Sequence, residues 1–279
     1  MDAPLPTDHR SGGSKAVPFG SAVDPLVLIP PSEGKASGGV GPPWRPATMA
    51  IDLDHQRLRV MAALRSAMRA NVAARAKLLG VKGDALAAAT AANRDIADAP
   101  TMPAIERFTG VLYGALDLAS LPTVARRRAE SMLVIPSGVF GLVAPHDPIP
   151  DHKLKMNVAL GRLGRLSTWW RDPVSEALAR RCTGRRVWNL LPREHAAAVD
   201  LAGIDQVSVT FLEPNRSGEL VAVSHWNKLL KGALVRLLLE HPSTSPEDLQ
   251  DWDHPEGFRL DPSRTLLVGD VTVLSLVRS

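Results

Sequence analysis

The sequence predicts a single compact domain of mixed α and β structure, with a central mixed sheet flanked by helices. Short apolar runs that stop at proline or glycine, such as Leu26–Ile29 and Met132–Ile135, predict buried strands. Between them, apolar residues recur at intervals of three and four, which predicts amphipathic helices. The chain has 279 residues, of which 45% are hydrophobic and only 4% aromatic, so aliphatic side chains must fill its core.

The composition of the chain excludes several classes of protein. Residues 1–24 are rich in Pro, Gly and Ser and lack the apolar core of a signal peptide, so we expect a disordered tail before one domain over residues 25–279. No stretch approaches the roughly 20 apolar residues of a membrane span, so we expect a cytoplasmic protein with no membrane partner. A single Cys182 excludes an internal disulfide framework. Eight histidines form no His-Glu-x-x-His pattern, so we predict no metal site and no cofactor.

The exit of the first predicted strand carries the most informative pattern. Leu26–Ile29 runs directly into the Pro30–Lys35 turn. Open α/β sheets bind ligands at the ends of buried strands, so Ser32, Glu33 and Lys35 are candidate pocket residues. The alternative is a plain strand exit without a ligand.

A long helix is predicted over residues 54–79. Its apolar positions recur at helical spacing and form one buried stripe, made of Met61, Leu64, Met68 and Val72. We interpret the arginines that lie mostly off this stripe as a solvated face, with a phosphate-binding ridge as the alternative: Arg57, Arg65, Arg69 and Arg75.

A tight turn follows this helix and precedes a second one, predicted from about residue 87 to 96. Its residues Gly80, Val81, Lys82 and Gly83 are similar to the hairpin of helix-hairpin-helix elements, in which glycines let backbone N–H groups approach a phosphate. We therefore predict a helix-hairpin-helix-like element over about residues 54–96. The usual hairpin has the pattern Gly-hydrophobic-Gly, and here Lys82 is inserted as one additional residue. The alternative is that Gly80 simply ends a helix.

Two middle segments supply further candidates. The block Phe108–Asp117 places two glycines around Tyr113, a pattern typical of close approach to a ligand or of a crowded helix contact. The segment 145–156 is too rich in proline for a helix and too charged for the core, so we expect Asp147, His152 and Lys153 to face a site.

The second half of the chain supplies more strand ends and two lysines. A strand over residues 187–191 contains Asn189 and ends at a proline, so three strands now deliver polar groups at their ends and predict a shared crevice. Lys228 and Lys231 lie one turn apart on a helix over about residues 225–240 and repel each other unless they share an anion, although an ordinary solvated face is the alternative. The other predictions are a helix from Asp172-Pro173 to about Cys182, a hairpin of residues 207–211 and 220–223, a helix capped by Ser245, and strands at 266–268 and 271–277.

Taken together, these blocks resemble the YaaA family of peroxide stress proteins. The resemblance runs over about residues 25–279 and rests on the segments 28–35, 110–117, 137–142, 153–156, 189–190 and 228–232, with Pro145 and Asp147. It implies protection from hydrogen peroxide, a lower level of intracellular iron, and non-specific binding of double-stranded or distorted DNA through a helix-hairpin-helix and a basic cleft. Many members of the family have Tyr, Arg and Glu at the positions of His152, Lys153 and Lys155 in this chain. Positive charge is mostly kept at the basic positions, so we expect anion binding to survive these changes better than a role that needs a phenol.

The leading hypothesis is a monomeric DNA-binding protein with no known protein partner. Its candidate residues for contacts with nucleic acid or anions are Ser32, Lys35, Gly80, Lys82, Gly83, Tyr113, His152, Lys153, Asn189, Lys228 and Lys231. The rival hypothesis is an enzyme that acts on a nucleotide or a damaged DNA base, with Glu33 or Asp147 as its base. A phosphate-loop nucleotidase is a weaker alternative, because Ile29 and Ala36 stand where that loop needs a glycine and a Ser or Thr.

Overall fold

The computed structural model describes residues 23–223 and 227–278, so nearly all of the expected N-terminal tail and the start of the 225–240 helix lie outside the described residues. Helices account for the longest elements of the described chain. They are α1 Asp54–Ala67, α2 Val72–Leu79, α3 Gly83–Asp95, α4 Ala104–Arg107, α5 Val111–Leu116, α6 Thr123–Met132, α7 Leu166–Cys182, α8 Arg193–Ala196 and α9 Asn227–Glu240.

The strands are mostly short, and all but two of them join one sheet. They are β1 Leu26–Leu28, β2 Thr101–Pro103, β3 Leu133–Ser137, β4 Gly141–Val143, β5 Pro148–Pro150, β6 Val187–Asn189, β7 Gln206–Pro214, β8 Leu220–Ala222, β9 Phe258–Leu260, β10 Leu266–Val268 and β11 Val271–Arg278. Strands β2 and β5 pair with each other as a separate two-stranded sheet.

The main sheet has a parallel centre and antiparallel edges. Its order is β10-β11-β7-β6-β1-β3-β4, with β8 paired to β7 and β9 paired to β11. Strands β3, β1, β6, β7 and β11 are parallel to one another, whereas β4 and β10 pair antiparallel to the two ends of this group. The apolar runs explain why β1 and β3 are central: residues 26–29 and 133–135 are completely buried, as is typical of strands covered on both faces.

The predicted fold class is confirmed: the chain forms a single mixed sheet flanked by helices. Strand β1 lies between β3 and β6, so the chain moves to one side of β1 for β3 and to the other side for β6. In open α/β sheets, the point where the order reverses leaves a crevice at the carboxyl ends of the strands. The strand exits singled out in the sequence therefore converge here.

The single long helix predicted over residues 54–79 is wrong, because the helix breaks after Ala67. Asn71 starts a new helix: its side chain accepts a hydrogen bond from the Ala74 N–H at 2.9 Å, the geometry of an N-cap. Val72 consequently leaves the buried stripe and is 61% exposed.

The expected solvated position of Arg57 is also wrong. Its guanidinium is fully buried and donates to the carbonyls of Phe140 at 3.0 Å and Leu142 at 2.9 Å, and to Asp54 at 2.9 Å. Every nitrogen of this buried cation has a partner, which is the condition for burying a charge.

The helix-hairpin-helix-like element is not confirmed. Helices α2 and α3 are joined by residues 80–82, but α2 has only eight residues. Gly80 has φ of 66°, and its N–H donates to the Ala76 carbonyl, which is how a glycine ends a helix. The turn is therefore explained by helix termination alone.

Two smaller predictions also change. Helix α7 begins at Leu166, ahead of the predicted start, and contains Pro173 in its interior. The helix predicted after Ser245 is only a 3₁₀ turn over Glu247–Gln250. The predicted hairpin of β7 and β8 and the terminal pair of β10 and β11 are confirmed. In the chain that the structure describes, we find no helix with the length and apolarity needed to span a membrane.

Candidate functional site

A cavity of about 410 Å³ lies at the carboxyl ends of β1, β3 and β6. This volume is within the range of small-molecule sites. Its walls come from four parts of the chain: the exits of these strands, the segment 152–155, Phe108 and Leu112, and the first turns of α9 with Val223. The polar residues of the lining are Ser32, Glu33, Lys35, Ser137, His152, Lys153, Lys155, Glu194, His195, Asn227, Lys228 and Lys231.

Five lysines face two glutamates in this lining, so the cavity is basic. We call Lys35 and Lys231 the inner lysines, because both are half-buried and desolvated by the protein around them. Desolvation lowers the pKa of Lys35 to about 8, and it also lowers the pKa of Lys231. Lys231 donates to the Leu190 carbonyl at 3.0 Å, whereas Lys35 reaches only the Ser32 carbonyl, at 3.4 Å.

We call the other three the outer lysines: Lys228 is exposed, and the side chains of Lys155 and Lys153 are 37% and 21% exposed. Glu33 bridges two of them: its carboxylate lies 2.8 Å from the Lys155 amine and 3.8 Å from the Lys153 amine. The hydrogen bond from Lys155 is the main reason that the pKa of Glu33 is lowered. Because the Glu33 side chain is 65% exposed, this ion pair contributes little to stability.

Two histidines lie in the wall. His152 is buried, its Nδ1 lies 2.9 Å from the Pro150 carbonyl, and its ring packs edge-on to Phe140. Burial lowers the pKa of His152 well below its usual value, so it is a neutral group rather than the cation that an anion site would use. His195 is buried as well, and its Nδ1 has no hydrogen-bond partner among the described residues.

Backbone contacts hold the segments that carry the lysines. The buried Arg107 side chain donates to the Gly38 carbonyl at 2.8 Å and to the Ala36 carbonyl, which fixes the chain just after Lys35. On the other wall, the segment 152–155 packs directly on Gly138: a Cβ at this glycine would lie 2.6 Å from the Leu154 carbonyl oxygen. Only a residue without a side chain allows this approach.

The structure brings most of the predicted site residues together. Those that line the cavity are Ser32, Glu33, Lys35, His152, Lys153, Lys228 and Lys231. They come from sequence positions nearly 200 residues apart, so their meeting is a property of the fold. The other candidates lie elsewhere.

Tyr113 and Asn189 lie behind the cavity and support it. The Tyr113 hydroxyl is buried and donates to the Pro30 carbonyl at 2.9 Å, which holds the exit of β1. Asn189 donates to the Gln206 side chain at 3.2 Å and accepts from the Leu191 N–H at 3.3 Å. Both side chains bond to the protein itself and lie outside the cavity lining, so the structure does not bring them together with the lysines.

Asp147 does not face the cavity. Its two carboxylate oxygens accept from the backbone N–H groups of Ala50 and Ala144, each at 2.7 Å. Burial raises its pKa, and these two hydrogen bonds act in the opposite direction. The side chain ties two loops together, which explains an aspartate at this position without any catalytic role.

The turn of Gly80, Lys82 and Gly83 lies outside the cavity but beside its mouth. A Cβ at Gly80 would lie 3.9 Å from the Lys155 side chain. Lys82 is exposed, and its side chain makes no capping hydrogen bond to α3.

Five polar lining residues were absent from the candidates chosen from the sequence: Ser137, Lys155, Glu194, His195 and Asn227. Ser137 ends β3, and Glu194 and His195 follow β6, so a rule that every strand exit at this edge contributes would have included these three. Ser137 and Lys155 also belong to blocks of the family resemblance. Within residues 23–223 and 227–278, no group of three or more His, Cys, Asp or Glu side chains is arranged to hold a metal ion.

Comparison with known proteins shows the family. The model of the family described as peroxide stress protein YaaA matches residues 26–264, from β1 almost to β10. The chain belongs to this family. The resemblance inferred from the sequence blocks is thereby confirmed, and the matched range includes every residue that lines the cavity.

Relatives of this YaaA-family protein come from several bacteria. A UPF0246 protein of Streptomyces coelicolor is 36% identical over 223 residues, which cover 80% of this chain and 85% of the relative. One from Corynebacterium glutamicum is 33% identical over 246 residues, which cover 84% and 93%. One from Cereibacter sphaeroides is 36% identical over 168 residues, which cover 58% and 65%.

Proposed function

We propose that this YaaA-family protein acts in peroxide stress by binding DNA non-specifically, with the phosphates on the outer lysines and an extruded nucleotide in the cavity. The observation that carries the proposal is the meeting of five lysines from three separate parts of the chain around one cavity. Lysines arranged in this way neutralise phosphates and do not read bases.

The difference between outer and inner lysines supports this mode of binding. Lys228 is exposed and the Lys155 side chain is 37% exposed, so both can reach a strand that crosses the mouth. The inner lysines lie where only a group that leaves the strand can reach them. Unpaired or damaged nucleotides cost the least to extrude, so the proposal favours distorted DNA.

The turn of Gly80 to Gly83 extends the same surface. It lies next to Lys155, and the first amides of α3 have no side-chain cap. A strand held by Lys155 would pass this turn, where the amides and the exposed Lys82 provide a further phosphate contact. The lowering of intracellular iron that the family resemblance implies is not part of this proposal, because it rests on no contact in the cavity.

The rival hypothesis of a carboxylate-dependent enzyme has less support. The pKa of Glu33 is lowered by its contacts with lysines, which makes it a weaker base. The carboxylate of Asp147 is occupied by two backbone amides and lies outside the cavity lining. Neither residue has the surroundings of a general base.

The test is the salt dependence of DNA affinity. A labelled duplex with an unpaired nucleotide is titrated with protein, and the affinity is measured by fluorescence anisotropy between about 50 and 200 mM salt. We expect the wild type to lose affinity steeply with salt. Lys155→Ala and Lys228→Ala should each reduce the slope of log K against log salt by about 1, because each removes a phosphate contact.

Lys77→Ala is the matched control, because Lys77 is exposed on α2 and lies outside the cavity lining. Its salt slope should equal that of the wild type. Binding that is independent of salt, or equal slopes in all four proteins, would contradict the proposal. Release of a free base from damaged DNA that Glu33→Gln abolishes would favour the enzyme instead.

A further inference from the structure

Lys35 has an unusual environment for a lysine. Its amine reaches the Ser32 carbonyl only at 3.4 Å and lies 5.5 Å from the centre of the Phe108 ring. Among the described residues, no carboxylate lies within 4.0 Å of it. The other inner lysine, Lys231, donates to a carbonyl at 3.0 Å. Lys35 is therefore the inner amine that is free to meet a group entering the cavity.

Burial, more than the charges around it, favours the neutral form of Lys35. Desolvation lowers its pKa to about 8, Lys153 and Arg107 add to this, and Asp151 and Glu33 oppose it. His152 also faces Lys35 and is neutral. With a pKa near 8, roughly a tenth of the amines are unprotonated at pH 7, far more than for a lysine in water. A desolvated, partly neutral lysine is a nucleophile towards carbonyl groups.

We propose that Lys35 is the nucleophile of a covalent site for aldehydes in DNA, and that its substrate is the ring-opened sugar of an abasic nucleotide. This inference rests on the proposed function, since the outer lysines must hold the two phosphates that flank the sugar. It goes beyond binding, because it assigns a bond-forming role to one amine.

The substrate class follows from the geometry of the cavity. An abasic sugar leaves the duplex at low cost because it has no base to unstack, and it carries phosphates on both sides. Its open form has an aldehyde at C1′. The outer lysines at the mouth suit the phosphates, while Lys35 in the wall suits the aldehyde.

The reaction balances without a further reagent. The unprotonated Lys35 amine attacks the C1′ carbon, and the carbonyl oxygen takes up a proton to give a carbinolamine. The hydroxyl group then leaves as water while a C=N bond forms, so lysine and aldehyde yield an imine and one water. No electron transfer occurs, and hydrolysis reverses the step.

Trapping with borohydride tests this proposal, because reduction of the imine leaves a stable amine. A labelled duplex with one abasic site is incubated with wild-type protein and borohydride, cross-links are separated by denaturing gel electrophoresis, and the attached residue is found by mass spectrometry. We expect a cross-link on Lys35. Lys35→Arg keeps the charge but should lose the cross-link, as should Lys35→Met, whereas the control Lys77→Arg should retain it.

A duplex with a tetrahydrofuran analogue, which has no aldehyde, separates the two proposals. Binding of this duplex without any trapping of abasic DNA would overturn the role of Lys35 and leave the proposed function standing. Absence of binding would contradict the proposed function. In that case, trapping of free 2-deoxyribose 5-phosphate on Lys35 would still support the aldehyde site, and its absence would overturn it.

The pH dependence of cross-linking and the residue to which the DNA is attached can both be measured on the wild-type protein. These two checks therefore do not require that any variant folds. The rate of cross-linking should rise about tenfold per pH unit below pH 7 and level off above about pH 8, as the amine loses its proton. A cross-link mapped to a different lysine in the wild type would overturn the assignment.

Discussion

Two basic side chains of this protein show how burial alone does not decide a role. Arg57 is fully buried, and three acceptors satisfy its guanidinium. Lys35 is less buried but has only one distant acceptor. The first is a structural cation, since each guanidinium nitrogen has an acceptor. The second keeps a reactive amine, because its environment disfavours the charge without replacing the lost hydration.

Arg57→Met should destabilise the protein by about 3 kcal/mol, because it leaves the Phe140 and Leu142 carbonyls and Asp54 without their partner. Urea unfolding followed by circular dichroism measures this change. Arg65→Met, on the exposed side of the same helix, should change the stability by no more than about 0.5 kcal/mol. Equal effects of the two substitutions would mean that the buried hydrogen bonds of Arg57 do not matter.

The burial of Arg57 shows what the spacing of apolar residues along a helix cannot predict. The spacing of Met61, Leu64 and Met68 predicted their burial correctly. It could not predict that two carbonyls near β4 would approach the same helix from outside the stripe. Acceptors that are distant in sequence decide whether an arginine is buried.

At the scale of the elements, the site is made by three strand exits, helix α9 with Val223, the segment 152–155, and Phe108 with Leu112. The exits were predictable because an apolar run followed by proline or glycine is a local pattern. The way the elements fit together was not, since it depends on contacts such as the one between Gly138 and the segment 152–155.

Gly138→Ala tests this fit. Its Cβ would lie 2.6 Å from the Leu154 carbonyl oxygen and 3.1 Å from the Lys155 carbonyl carbon, so the wall that carries Lys153 and Lys155 must move. We expect a loss of about 1–3 kcal/mol in stability and weaker DNA binding, measured by urea unfolding and anisotropy.

Gly114→Ala is the control for this substitution, because a Cβ there meets no atom within 4 Å. Gly114 lies within α5, where alanine is the better helix former, so stability should be kept or slightly raised. If Gly138→Ala also kept both stability and affinity, the close approach would be unimportant.

At the scale of the whole molecule, three buried histidines couple stability to pH. Desolvation lowers the pKa values of His152, His195 and His254, so the folded state prefers their neutral forms. The unfolded chain, with ordinary values near 6.5, binds protons first as the pH falls. This contribution to stability is complete above about pH 6.5 and is lost at lower pH.

We therefore expect the free energy of unfolding in urea to fall between about pH 7 and pH 5, before most carboxylates titrate. His254→Gln should make this fall shallower, because one buried histidine no longer binds a proton on unfolding. His55→Gln, at an exposed position of α1, should leave it unchanged. A stability that does not vary over this range would contradict the argument.

The sequence by itself determined seven of the eleven strands of the described residues, part of the helices, the family and a basic set of candidate residues. These follow from local patterns and ordered blocks that do not depend on the rest of the chain. Only the tertiary structure decided which candidates share a cavity, which lysines are inner or outer, and that Asp147, Tyr113 and Asn189 bind the protein itself. The physical reason is that burial, desolvation and hydrogen-bond partners are set by segments distant along the chain, which meet at one edge of the sheet.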